Sequence, residues 1–141
     1  VWVDSSGREM ISANRSDSHG INLMRAAGID ALVISRESDP VVTARCQKMK
    51  VPVLQGILEK ASALRQAVQE RGLSLQQVIY VGNDTIDLPC FDLAGWAVAV
   101  ADAHPEVLRA ADFILSLRGG YGAVRELCDL IVDRQNQRSK S

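Results

Sequence analysis

Apolar positions along this chain fall in short bursts, and between the bursts they recur at steps of three and four. Ile29 to Ile34, Val51 to Leu54, Val78 to Val81, Trp96 to Val100 and Asp112 to Leu115 read as strands. They are short, rich in β-branched residues and bounded by turn formers, the pattern of strands buried in a parallel sheet. Ile21, Leu23, Met24 and Ala27 mark a helix that Asp17 or Ser18 is expected to cap and Gly28 to close. Asp39-Pro40 opens another, with Val41, Val42, Ala44 and Met49 on its apolar side and Lys48 and Lys50 near its end. A helix from Glu59 to Glu70 places Ala61, Leu64, Ala67 and Val68 on one face, and Arg71-Gly72 ends it. Pro105 starts a small helix through Ala110. Val124, Leu127, Cys128 and Ile131 line a last one, after which residues 135–141 read as a polar tail that frays. Ahead of all these, Val1 to Val3 and Arg8 to Ala13 flank Asp4-Ser5-Ser6-Gly7 as a hairpin. Alternating strands and helices with short connections predict a three-layer α/β fold around a mostly parallel sheet, in one domain over residues 1–134.

The bulk numbers narrow the function classes. Apolar residues are 47% and charged residues 23% of 141, ordinary values for a globular domain. Sixteen basic and 17 acidic residues give a net charge of -1, with no basic stripe to meet a nucleic-acid backbone. No apolar run approaches the roughly 20 residues of a membrane helix. Cys46, Cys90 and Cys128 lack zinc-site spacing, so buried, reduced thiols and a cytoplasmic setting are expected. His19 and His104 are too isolated for a histidine-built metal site.

The stretch with chemical content is Val78 to Pro89, VIYVGNDTIDLP, where a strand runs through Gly82 into Asn83, Asp84, Thr85 and Asp87. Ligands of open α/β sheets sit beyond the carboxyl ends of the strands. Ser35 and Arg36 follow one strand, Asp102 and His104 another, and Lys60 begins a helix near the same rim. A hydroxyl and a lysine suit phosphate oxygens, and acids suit Mg²⁺. Asp84 and Asp87, three apart, can share a helical face, one for metal and the other to orient Lys60. Local roles account for the same residues: Asp84 and Asp102 as helix caps, Ser35 as a turn residue, Lys60 as a solvated charge, His104 as a helix-start residue. No residue offers itself as a nucleophile.

Taken in order, Arg15-Ser16-Asp17-Ser18-His19-Gly20-Ile21, Val33 to Ser38, Gly56 to Lys60, Tyr80 to Asp84 with Asp87 to Pro89, Val100 to Pro105 and Gly119 to Glu126 form a recognisable set. The chain resembles the haloacid-dehalogenase-like superfamily. It resembles in particular its cap-less branch, which holds 3-deoxy-octulosonate 8-phosphate phosphatase and the C-terminal phosphatase-like domain of acylneuraminate cytidylyltransferases. The resemblance implies a Rossmann-like sheet with a β-hairpin in place of a cap, and hydrolysis of a 2-keto-3-deoxy sugar acid phosphate with Mg²⁺. It assigns the phosphoryl-holding hydroxyl to Ser35, the neutralising lysine to Lys60 and the metal to Asn83 and Asp84. Arg36 and Arg118 join Ser35 and Lys60 in binding substrate, with Asp87, Asp17 and Asp102 in support.

The family nucleophile lies in a first strand ending in DxDG, expected upstream of Val1, so the 141 residues alone are not expected to run the reaction. Two departures stand out. Asn83 replaces an aspartate, which removes a charge, and Arg36 takes the place of a glycine. Both lean toward the alternative the resemblance offers, a weakly active or non-catalytic assembly domain linked to a cytidylyltransferase. Four subunits commonly assemble in this branch, so a homotetramer is the expected state, with Gly119 to Gly122 either shaping a neighbour's site or simply entering a helix.

Overall fold

The computed structural model describes residues 2–3, 9–10 and 16–140. The expected hairpin is present: β1 (Trp2–Val3) and β2 (Glu9–Met10) pair antiparallel, Trp2 opposite Met10. Its turn, residues 4–7, lies outside the described residues, as does Arg15. Then follow α1 (Ser16–Ala26), β3 (Val33–Ile34), α2 (Pro40–Met49), β4 (Val53–Leu54) and α3 (Lys60–Glu70). The second half holds β5 (Ile79–Gly82), α4 (Leu88–Leu93), β6 (Trp96–Ala99), α5 (Pro105–Ala110), β7 (Phe113–Ile114) and α6 (Ala123–Lys140). Two 3₁₀ turns, Leu75–Gln77 and Thr85–Asp87, flank β5.

Every strand pair after the hairpin is parallel, as expected, but the sheet is in two hydrogen-bonded pieces. β3 pairs with β4, Val33 opposite Val53. β5, β6 and β7 form the other piece, with Tyr80 opposite Ala97 and Ala99 opposite Ile114. No ladder joins β3 to β5 among the described residues. β3 and β4 are shorter than the predicted runs from Ile29 and Val51. Along β5 the side chains alternate, Tyr80 and Gly82 inward, Ile79 and Val81 still 39% and 36% exposed. Ile79 opens onto an apolar groove beside Trp96, Phe113 and Ile131, at the end of the strands away from the rim.

Local chemistry sets the helix boundaries. The Asp39 carboxylate accepts the Val41 N–H at 2.8 Å, and Pro40 follows it, as the sequence predicts. Leu64 and Val68 of α3 are buried with Tyr80, Phe91 and Val98 in the main core. A second cluster joins Ile21 and Met24 of α1 to Val51 and Cys128. All three cysteines are buried free thiols, and burial pushes the Cys128 thiol up to about 11.

Three boundary expectations change. α1 starts at Ser16, so Asp17 sits inside it and caps a different helix: its carboxylate accepts the Arg125 N–H in the first turn of α6 at 3.1 Å. Asp102 does not cap α5; His104 does, through Nδ1 and the Glu106 N–H. The polar tail is helical to Lys140, and Gln135 donates to the Ala27 carbonyl at the end of α1. Among the described residues no helix is long and apolar enough to cross a membrane.

Gly95 sits where a Cβ would stand 2.2 Å from the Gln76 carbonyl oxygen, a backbone atom that cannot step aside. At Gly28 (φ 82°) nothing lies within 4 Å, so alanine meets only the left-handed backbone penalty. In urea unfolding, Gly28→Ala is expected to cost about 1 kcal/mol and Gly95→Ala about 3 kcal/mol or more. Equal costs would contradict the packing described at Gly95.

Candidate active site

The carboxyl ends of β3, β4, β5 and β6 carry the residues singled out from the sequence, and the loops there are stitched together. The Ser35 carbonyl accepts the Ile57 N–H at 3.0 Å, which brings the loop after β3 against the loop leading into α3. The Ser35 Oγ accepts the Glu37 N–H, so its own hydrogen remains to be donated. The Asn83 carbonyl accepts the His104 N–H at 2.9 Å, and the Asp102 carboxylate accepts the Gly119 N–H at 3.1 Å. Glu126 reaches back from α6 and accepts the N–H groups of Ser116 and Leu117. The glycine-rich loop is thus pinned along its first part, residues 116–119.

At the centre lies Asp87, 2% exposed, with both oxygens saturated. Oδ1 accepts from Lys60 Nζ at 2.9 Å and from the Tyr80 hydroxyl at 2.7 Å. Oδ2 accepts the backbone N–H groups of Asn83 at 3.0 Å and Asp84 at 3.2 Å. Burial alone would raise the Asp87 pKa, but the donors from Tyr80, Asn83 and Lys60 outweigh it and hold the carboxyl below its usual range. Tyr80 moves the other way: burial, then its bond to the Asp87 carboxylate, keeps the phenol protonated. Gly82 makes the arrangement possible, because a Cβ there would lie 2.7 Å from Asp87 Cβ and 2.9 Å from the Phe91 ring.

The two aspartates do not share a face. Asp84 is exposed and its Oδ1 accepts the Thr85 N–H at 2.7 Å, whereas Asp87 turns inward through the 3₁₀ turn. Asp87 pairs with Lys60, and Asp84 faces solvent beside Asn83. Asp84 also caps its turn, as the local reading expects. Arg36 and Arg118 are exposed, the latter with its guanidinium stacked 4.6 Å from the Tyr121 ring centroid. Asp17 lies at the first turn of α6, where its carboxylate accepts the Arg125 N–H.

Sequence reasoning overlooked Tyr80 and Glu126. The signal for Tyr80 was present, since period-two alternation puts it on the face of Gly82, under the turn that carries Asp87. Glu126 gave no comparable signal, because its partners are backbone groups of a loop without regular spacing.

Asp87→Asn leaves the Lys60 ammonium, 12% exposed, without its counter-charge and turns amide hydrogens toward N–H donors. The expected loss is about 3–5 kcal/mol at pH 7 in denaturant unfolding. The pH dependence follows from the depressed carboxyl. Its contribution is complete above the unfolded value near 4 and disappears as pH falls through the lower folded value. The variant is therefore expected to lose part of the acid-side slope of stability, and an unchanged slope would contradict the assignment.

A family model described as haloacid dehalogenase-like hydrolase matches residues 28–122. The 3-deoxy-D-manno-octulosonate 8-phosphate phosphatase KdsC of Escherichia coli K12 is 33% identical over 138 residues, covering 97% of this chain and 73% of that protein. A HAD family hydrolase structure from Streptomyces avermitilis MA-4680 is 48% identical, with a TM-score of 0.88 over 91% of this chain and 74% of the other. The octulosonate phosphatase of Moraxella catarrhalis, solved with a magnesium ion, a phosphate ion and KDO, is 29% identical with a TM-score of 0.90, covering 96% and 78%. Their fold is the one described above, a three-layer α/β arrangement of the haloacid-dehalogenase type without a large cap. With most of its length matched by these relatives, the chain belongs to the haloacid dehalogenase-like hydrolase family.

Proposed function

We propose that this domain hydrolyses the phosphomonoester of a 2-keto-3-deoxy sugar acid, of the octulosonate 8-phosphate or nonulosonate 9-phosphate type, with Mg²⁺. The observation that carries the proposal is the Lys60–Asp87 pair at the strand ends, beside the exposed oxygen donors of Asn83 and Asp84. That donor set fits a hard cation: Mg²⁺ binds one or two protein oxygens and fills its remaining positions with water and phosphate. Bound there, Mg²⁺ would supply neutralising charge to the phosphoryl oxygens.

The remaining roles belong to the chain. Lys60 spends one N–H on Asp87 and keeps two for phosphoryl oxygens. Ser35 donates its hydroxyl hydrogen to another. Arg36 and Arg118, on the loops after β3 and β7, face the carboxylate of the sugar acid. In this reading the nucleophile is a carboxylate at the same rim. Its oxygen attacks phosphorus, the sugar hydroxyl leaves, and water then cleaves the aspartyl-phosphate.

A second reading draws support from Asn83 and Arg36, which lower the negative charge and add bulk at the rim. In it the domain is an assembly module of a cytidylyltransferase. Leu58, 74% exposed, and Tyr121, 53% exposed, offer apolar surface near the rim for packing in a homotetramer.

The test is Mg²⁺-dependent phosphate release by the native protein from octulosonate and nonulosonate phosphates. Lys60→Ala and Asp84→Ala are each expected to lower kcat/KM by about 10²–10³, and chelation should abolish turnover. Activity that persists in Asp84→Ala would remove the metal assignment. Tetramers that survive Asp84→Ala in a protein releasing no phosphate would establish the second reading.

A further inference from the structure

We infer that Tyr80 is a positioning residue for the reaction: its hydroxyl fixes the Asp87 carboxylate, and through it sets where Lys60 presents its charge. The inference rests on the phosphatase reading above for its catalytic consequence, though not for its geometry. Asp87 Oδ2 is held by two backbone N–H groups, which leaves the carboxylate free to swing about that anchored oxygen. Two donors decide where Oδ1 comes to rest, and they differ in stiffness. Lys60 Nζ ends a four-carbon stem with many rotamers. Tyr80 is a two-torsion ring on the central residue pair of β5, 9% exposed and edge-on to Phe91 at 6.0 Å and 77°. Its hydroxyl cannot follow a moving carboxylate, so the carboxylate follows the hydroxyl.

The shared acceptor has a second consequence. With the 2.7 Å Tyr80 bond on the same oxygen, part of the Oδ1 electron density is already engaged, and Asp87 holds Lys60 less tightly than a carboxylate devoted to it alone. The ammonium is then aligned by its counter-ion without being neutralised by it. Removing the hydroxyl is expected to let Asp87 rotate and draw Lys60 in, away from the place where a phosphoryl oxygen would meet it.

Tyr80→Phe keeps the ring and its contact with Phe91, so it isolates the hydroxyl. Three readouts on the native protein decide the matter. Steady-state kinetics should show kcat lowered about 10- to 100-fold, with any rise in KM smaller than the fall in kcat. Isothermal titration with inorganic phosphate and Mg²⁺ should show weaker phosphate binding. A crystal structure of the variant should show Asp87 Oδ1 displaced and the Lys60 ammonium moved with it. Leu127→Ala, a truncation elsewhere in the core, serves as the control: it should lower the melting temperature while leaving kcat unchanged below that temperature. Unchanged kcat in Tyr80→Phe, or an Asp87–Lys60 geometry superposable on that of the parent, overturns the inference. A parent protein that releases no phosphate would instead defeat the phosphatase reading, and the crystal structure alone would then decide the positioning.

Discussion

The rim depends on one buried carboxylate. Asp87 accepts four hydrogen bonds, from α3 through Lys60, from β5 through Tyr80 and from the turn after β5 through two backbone groups. α3 packs on β3, on one side of the open seam, and on α4, which packs on β5 and β6 on the other. The Lys60–Asp87 bond therefore spans two pieces of sheet that share no ladder among the described residues. A buried ion pair contributes little net stability against an apolar alternative, because desolvation offsets the attraction. Its value lies in geometry: with every lone pair used, the carboxylate has one orientation and the ammonium is held where the strands end.

The neighbouring loops reinforce that constraint. Asn83 ties to His104, Asp102 to Gly119 and Glu126 to the start of the glycine loop, so the rim is a chain of short hydrogen bonds from β5 round to α6. Asp17 extends it to α1 by capping α6 across 108 positions of sequence. α1 and α6 can cross closely because Gly20 has no side chain: a Cβ there would stand 3.0 Å from Cys128 Cβ. Phosphate chemistry needs this rigidity, since positioning and fixed charge supply nearly all of the rate.

Much of this was legible in the residues, and the limits have physical causes. Apolar bursts and helical repeats gave the strands after the hairpin and every helix but α4, because each of these buries one defined face. Asp39-Pro40 and Gly28 gave helix ends because capping is local. The Lys60–Asp87 partnership came with the chemistry of the rim. By contrast, Asp17 looked like a cap for its own helix, and nothing local says that its partner is Arg125. Asp84 and Asp87 looked like neighbours on one face because spacing assumes an α-helix, whereas a 3₁₀ turn sends one outward and one inward. The helical tail escaped notice because polar composition does not reveal the hydrogen bond from Gln135 to α1. The division of the sheet left no mark in the residues, because an apolar burst shows a strand but not its neighbours.

If Asp87 acts on catalysis only by holding Lys60, the two residues form one unit. The measurement that tests this most directly is a double-mutant cycle on kcat/KM for phosphate release, with Lys60→Met, Asp87→Asn and both together. The account predicts that Asp87→Asn, damaging in the parent, costs almost nothing further once Lys60 is gone. Losses that add in full would contradict it and give Asp87 a separate role.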